Sequence, residues 1–365
     1  MNARDKIRTK IVDKIFAGFF LLTILSVISL TMTNSAEKKS ISQLSSIPVQ
    51  LKDGQFDIKS ELENKIVKNG VLLDTWVNET TPFVWKGELK YLTSEGRLGT
   101  EGFYLAIYDY ETNSKVATFG KGLTMASAIV HDDKLYIFGT KNPGQQLDKD
   151  KKTNAKVRSE IYLITSDDLK SFSDPILLVR ASNIQGFNNT SATRNPITGK
   201  FTMALELYEE GLAVFSIRFL ESNDLIHWIF KPYIFTNQFY VASPSIRHIN
   251  GYYYLWFLKE SIASSDDPAF EVKRADWKNR KDKINRIWVT SLARSKDLAS
   301  WEVSRKTFLT PDQTDEGLNT SDLDLVEWNE KTYIFYMVGD QATWGIIKLA
   351  ISDIFLNNLV EEYFK

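Results

Sequence analysis

Cysteine is absent from this chain of 365 residues, and histidine occurs only three times. Without thiols, a disulfide scaffold, a thiolate nucleophile and a cysteine-ligated metal centre are excluded. His131, His227 and His248 stand far apart, with none of the short spacings of a zinc site. An excess of one charge is missing too. The 45 Lys and Arg residues nearly balance 46 Asp and Glu, for a net charge of -1, so composition supplies no basic face for nucleic acid. No Gly-x-Ser-x-Gly elbow occurs. "FGKGLT" lacks the spacing of a phosphate-binding loop, and "DKDKK" lacks the glycine and terminal glutamate of a calcium-binding EF-hand loop. No cofactor is therefore expected, and only a structural calcium ion is left open.

Long apolar runs are also scarce. A single uncharged stretch, "IFAGFFLLTILSVISLTM", spans Ile15–Met32 behind Arg4, Lys6, Arg8, Lys10 and Lys14. Its length approaches that of a membrane-spanning helix, about 17–25 residues. The basic flank marks the cytoplasmic side. Residues 1–36 are thus expected to be a transmembrane or signal-anchor segment, with cleavage near Ser35–Ala36 as the alternative. The rest of the chain is expected outside the cytoplasm, on the membrane or secreted. Residues 37–70 read as a polar stalk, in which "QFDIKSELENKIVKNG" can form a short amphipathic helix.

What the chain has in quantity is aromatic strand texture. From Val71 onward, short runs rich in Tyr, Phe, Trp, Val and Ile alternate with Gly, Asn and Asp. One unit, a strand, a tight turn and a second aromatic strand, recurs in five copies: "TTPFVWKGELKYLTSE", "ASAIVHDDKLYIFGTK", "NTSATRNPITGKFTMALE", "ASPSIRHINGYYYLWFLKE" and "TSDLDLVEWNEKTYIFYMVGD". Their turns fall near Gly87, Asp133, Gly199, Gly251 and Glu330. A second motif, Ser-x-Asp-Leu-x-x-aromatic, follows three copies as "TSDDLKSF", "ESNDLIHW" and "ARSKDLASW". Its Ser and Asp can close a turn through their own side chains, leaving Leu and the aromatic to pack between sheets. Repeats of this kind predict an all-β fold, a five-bladed β-propeller over residues 71–365. Two charged stretches, one after the second copy and one after the fourth, read as surface insertions. "VLLDTWV" is a candidate to complete the last blade.

"SPSIRHINGYYYL", "ARSKDLASW" and "NTSDLDLVEWNEKTYIFY" resemble the five-bladed propeller glycoside hydrolases, the broad group that includes families 43, 62 and 117. That resemblance implies cleavage of glycosidic bonds in a poly- or oligosaccharide. In family 43 it implies an aspartate base in blade one, a helper aspartate in blade two and a glutamic acid donor in blade three. This chain departs from the pattern: Glu79 stands near the blade-one position, and blade two opens with the acid-free "TMASA".

In a propeller, the starts of the innermost strands and the ends of their partners converge on one mouth of the channel. The strand starts supply Glu79, Ser127, Asn189, Ser243 and Asp322, and the partner ends Glu95, Thr140, Glu206, Glu260 and Asp340. Asp324 follows Asp322 by two and is expected on the same side, one step deeper. Arg97 and Arg247 are candidate cationic partners. A glycosidase needs one protonated and one ionised carboxyl group. The catalytic candidates are Glu79 or Asp322 as base and Glu206 as acid, with Glu260 as competing acid. Trp76, Glu95, Asn189, Arg247, Asp324 and Asp340 are candidate substrate contacts, and Trp344 a further stacking candidate. Glu95, Glu260 and Asp340 read equally well as solvated loop acids, Asp322 as a turn cap, Arg247 as a structural ion-pair partner and the tryptophans as core. The wide gap across a funnel favours inversion of stereochemistry. The alternative to an enzyme is a non-catalytic glycan-binding or polysaccharide-assembly propeller; no nucleic-acid partner is expected.

Overall fold

Turn chemistry sets the hairpins. Lys86–Gly87, Asp132–Asp133, Asn250–Gly251 and Asn329–Glu330 all have positive φ, and the strands pair immediately outside each of them. Two left-handed residues in sequence give the tight loop whose twist matches the flanking strands. The third repeat uses a longer turn, in which Asn195 Oδ1 accepts the Ile197 and Thr198 N–H groups.

The computed structural model describes residues 47–48, 65–74, 77–96, 102–141, 158–212, 215–235, 239–262, 286–340 and 345–365. The expected span at Ile15–Met32, Trp76, Arg97, Trp344 and all but the ends of both charged insertions lie outside the described residues. Among the described residues, no helix is long and apolar enough to cross a membrane.

Five four-stranded units make up the domain. Blade one is β3 (Val77–Trp85), β4 (Glu88–Glu95), β5 (Tyr104–Asp109) and β6 (Lys115–Phe119). Blade two is β7 (Thr124–His131), β8 (Lys134–Lys141), β9 (Glu160–Ser166) and β10 (Ile176–Arg180). Blade three is β11 (Gln185–Arg194), β12 (Phe201–Glu209), β13 (Ser216–Ser222) and β14 (Trp228–Phe235), with the two-residue β1 (Ile47–Pro48) parallel on its outer edge. Blade four is β15 (Ala242–Ile249), β16 (Tyr252–Ile262), β17 (Arg286–Ser295) and the short β18 (Glu302–Val303). Blade five is β19 (Asn319–Trp328), β20 (Lys331–Gly339), β21 (Gly345–Ser352) and, from the other end of the chain, β2 (Val67–Leu73). The innermost strands pack in the closed cycle β3–β7–β11–β15–β19–β3, the arrangement of a five-bladed propeller.

The ring closes as the sequence suggested, but with a shifted boundary. β2 runs antiparallel to β21, with Val67 opposite Ile351 and Leu73 opposite Ile347. "VKNG", expected at the end of a stalk helix, is therefore strand. Lys68 carries it there: its Nζ bonds Thr310 O and Glu316 Oε2, each at 2.7 Å, and also Asp312.

Hydroxyl groups stitch successive blades. The Ala126 N–H donates to Ser94 Oγ, Thr140 Oγ1 to Asn188 O, the Ile246 N–H to Ser191 Oγ, and Thr290 Oγ1 to Thr320 O. Trp328 Nε1 donates to Gly87 O across the fifth interface. Small hydroxyls satisfy backbone groups where blades approach too closely for larger side chains. Outside this inner ring the core is radial, with one apolar cluster at each interface.

The repeated Ser-x-Asp-Leu motif forms the same turn three times. Ser166, Ser222 and Ser295 accept from the backbone of the Leu three residues on, and Asp168, Asp224 and Asp297 accept from the two N–H groups beyond it. Leu169, Leu225 and Leu298 have positive φ and are buried in the interface clusters. Trp301 stacks on Phe219 at 5.4 Å between blades four and three. The chain ends in α1 (Leu356–Glu362), which sequence reading did not anticipate; it buries Leu356, Leu359 and Val360 against blades four and five.

Candidate active site

One irregularity recurs in all five inner hairpins. Between Val77 and Thr80, Thr124 and Ser127, Phe187 and Thr190, Ala242 and Ser245, and Ser321 and Asp324, the inner strand advances three residues while its partner advances two. Such a bulge re-aims side chains and leaves backbone groups unpaired by the ladder. The bulges therefore form a ring of their own. Met125, Ser243 and Asp322 sit in them with φ of 52°, 49° and 47°. Asp tolerates the left-handed region, whereas Met does so at a cost.

These bulges bring Glu79, Met125, Asn189, Ser243 and Asp322 to the wall of a single cavity, which Asp324 also lines. Its volume is about 20 Å³. Opposite the third bulge, on β12, Glu206 is buried, 4% exposed. Ser243, in the next blade, donates its backbone N–H to Glu206 Oε2 at 2.6 Å, and Asn188 Nδ2 donates to Oε1 at 2.8 Å. The same relationship recurs at Glu79, which accepts hydrogen bonds from the Met125 backbone in the following blade and from the Asn189 side chain. Asp322 accepts from Ser243 Oγ at 2.6 Å, from Ser321 Oγ and from Asn189 Nδ2 at 3.4 Å. Three carboxyl groups from blades one, three and five are thus tied together by one serine and one asparagine.

Their electrostatics follow from burial, with no cation paired to them among the described residues. Desolvation, reinforced by Asp322 and Glu206, pushes Glu79 well above the usual carboxylate range. Desolvation raises Glu206 to about 7, against the donated bonds from Ser243 and Asn188. It raises Asp322 too, opposed by the Ser243, Ser321 and Asn189 donors. Like charges this close cannot all ionise near neutrality. Glu79 and Asp322 keep part of their residue surface exposed, but Glu79 Oε2 itself is buried.

Arg247 does not serve these acids. Its Nη2 bonds Asp324 Oδ1, which Ser245 Oγ also bonds at 2.6 Å, so that pair is a neutral unit deeper in the wall. The bulge breaks the simple alternation expected from Asp322 to Asp324, yet both line the cavity. Ser127, counted among the strand starts, instead pairs with Thr190 Oγ1 at 2.9 Å, and Met125 takes the bulge position.

Register separates the remaining candidates. The residues opposite the five bulges are Ser94, Gly139, Glu206, Phe257 and Tyr336. Glu95 follows Ser94 directly, and a one-residue step sends a strand side chain to the opposite face. It accepts from Tyr108 OH at 2.7 Å, Tyr104 OH at 2.9 Å and Lys115 Nζ at 2.9 Å, away from the channel. Those donors lower its pKa in spite of desolvation. Glu260 lies past Phe257 on a strand that overruns the hairpin; it is exposed and paired with Arg286 at 3.0 Å. Asp340 follows the end of β20 and does not line the cavity. Sequence reading missed Asn188, Ser321 and Tyr240. Tyr240 sits just ahead of β15, edge-on to Phe215 at 5.6 Å; desolvation and the nearby Glu206, Asp322 and Glu260 raise its pKa. The only sequence signal for it is an aromatic pair before the fourth repeat.

Among the described residues, no group of three or more His, Asp or Glu side chains is arranged to hold a metal ion. The site can hold protons and one small polar molecule.

The chain matches no protein-family model and no curated protein sequence. Its fold is similar to that of the GH32 β-fructofuranosidase BmSUC1 of Bombyx mori, in a mutant complexed with sucrose: TM-score 0.53, 12% identity, 79% of this chain and 63% of that one covered. It is also similar to the GH43 protein BlXynB of Bacillus licheniformis: TM-score 0.50, 14% identity, 78% and 54% covered. This chain therefore spans less than two thirds of the length of either. At these identities the likeness is one of fold, the five-bladed propeller shared by GH32 and GH43 glycoside hydrolases.

Proposed function

We propose that this chain is a glycoside hydrolase acting on a poly- or oligosaccharide by carboxylate acid/base catalysis. The observation that carries the reading is the convergence of Glu79 and Asp322, at the bulged starts of their inner strands, with Glu206 opposite the third bulge, and with no ion-paired cation among the described residues. Glu206 is the proton donor: burial keeps it protonated up to about 7, where a general acid is most useful. Asp322 is the base: its three side-chain donors oppose the desolvation that raises its pKa, and it lines the cavity. Ser243 lies between the two carboxylates and bonds both. The placement of the pair on separate blades favours the wider spacing of inverting enzymes, about 6.5–9.5 Å, which leaves room for a water. Tyr240, near Glu206 and Asp322, is an aromatic group available to a sugar ring. The basic flank and apolar run at the N-terminus support a membrane-tethered enzyme with its propeller outside the cytoplasm.

The test is incubation of the full chain with a broad panel of oligo- and polysaccharides, with detection of new reducing ends. Glu206→Gln and Asp322→Asn should each lose at least about 100-fold in turnover, the scale of one acid or base, with circular dichroism unchanged. Blade two carries Met125 and Ala126 at its bulge, which favours the second reading, a propeller that binds glycans without cleaving them. Binding on the panel with no new reducing end would select that reading.

A further inference from the structure

Seven buried side-chain polar atoms lack a hydrogen-bond partner among the described residues: Glu79 Oε2, Thr80 Oγ1, Ser182 Oγ, Asn189 Oδ1, His248 Nδ1, Trp256 Nε1 and Asn319 Oδ1. Buried polar groups are almost always paired, so each one asks for a reason. Three of them, on Glu79, Thr80 and Asn189, belong to residues that line the same cavity of about 20 Å³. The other four residues do not line it. Thr80 is 2% exposed and Asn189 7% exposed. A site for a single water needs about 10–15 Å³ and two to four polar partners. The cavity meets both conditions.

We propose that Glu79 Oε2, Thr80 Oγ1 and Asn189 Oδ1 form a clamp for one hydroxyl oxygen, with Glu79 acting as a protonated hydrogen-bond donor instead of a base. The complementarity is specific. Asn189 Oδ1 can only accept, so the bound oxygen must donate a hydrogen to it. Thr80 can donate or accept. A sugar hydroxyl has one hydrogen, which Asn189 Oδ1 takes, so an ionised Glu79 would face it as a second, unsatisfied acceptor; a protonated Glu79 donates to it instead, and the nearby Asp322 and Glu206 favour that form. Water and a sugar hydroxyl share this chemistry, and an oxyanion or a carbonyl does not. On the glycosidase reading, the clamp holds either the attacking water beside Asp322 or one hydroxyl of the reacting sugar, and Glu79 is a positioning residue.

High-resolution crystallography of the full chain at mildly acidic pH, with and without a xylose soak, tests this. The expected result is one ordered oxygen within hydrogen-bond distance of all three atoms. After the soak, a peak that stays discrete identifies water as the source, and a peak that merges into the ring identifies a sugar hydroxyl. An empty cavity, a metal ion in it, or the three atoms re-paired with protein groups would overturn the clamp. Infrared difference spectra of wild type against Glu79→Gln give a second readout: a protonated-carboxyl band at neutral pH, lost in the variant, is expected, and its absence in wild type overturns the donor role. Thr80→Val keeps the side-chain shape and should reduce the oxygen's occupancy; full occupancy would remove Thr80 from the clamp. No readout depends on turnover, so failure of the clamp and failure of the glycosidase reading are separately visible.

Discussion

The backbone N–H of Ser243 donates to Glu206 Oε2 at 2.6 Å while the hydroxyl of the same residue donates to Asp322 Oδ1 at 2.6 Å. One residue in a left-handed bulge, φ 49°, thereby spans two acids from two other blades. Ser243→Gly keeps the N–H and suits the backbone but deletes the hydroxyl. A hydrogen bond to a charged group contributes about 1.5–3 kcal/mol, so the Asp322 pKa should rise by about 1–2 units while Glu206 keeps its backbone bond. Side-chain carbon NMR titration reads both groups.

The acid cluster should oppose folding at high pH. The folded-state pKa of Glu206 is raised to about 7 from 4.5, so the folded protein holds this proton more tightly than the unfolded chain does. The resulting stability is fully present below the unfolded carboxylate range and is lost as pH rises through about 7. Glu206→Gln should therefore gain up to about 3 kcal/mol over wild type at alkaline pH, and nothing at acidic pH where the wild-type carboxyl is protonated. Urea unfolding at the two extremes measures the difference.

Ring closure depends on a buried charge. Glu316 has a fully buried side chain bonded by Lys68 at 2.7 Å and by Tyr336 OH at 2.9 Å. Lys68→Met removes its closest cation and leaves only Lys348 Nζ at 3.8 Å, so the cost should approach that of a broken buried pair, about 3–5 kcal/mol. Lys134→Met removes only an exposed pair with Asp167 at 3.3 Å and should change stability by less than about 1 kcal/mol. Thermal melts of the two variants should separate clearly.

Between blades, Trp301 is 2% exposed and stacks on Phe219 while meeting Phe235 edge-on at 5.2 Å. Trp301→Ala should cost about 3–5 kcal/mol, read as a lower urea midpoint.

Blade count, turn positions and the Ser-x-Asp-Leu turns were legible because each depends on local chemistry: Asn-Gly and Asp-Asp pairs favour left-handed backbone, and Ser and Asp side chains bond the nearest N–H groups. Glu79, Asn189, Glu206, Asp322 and Asp324 were legible as a set for the same reason, since a repeat projects equivalent positions onto one mouth. Glu95, Glu260 and Asp340 were not separable from them, because a bulge of one residue changes which side chain faces the channel and nothing in a single strand reveals it. α1 and the boundary at Val67 were missed because both are fixed by distant partners, the first by blades four and five and the second by Lys68 meeting Glu316 and by β21.

The coupling of the acids is most directly measured by the titration of Glu206 in wild type and in Asp322→Asn. Wild-type Glu206 should titrate near 7, and removing the Asp322 charge should lower that value. An ordinary carboxylate pKa in wild type, unmoved by the substitution, would contradict a single buried acid site.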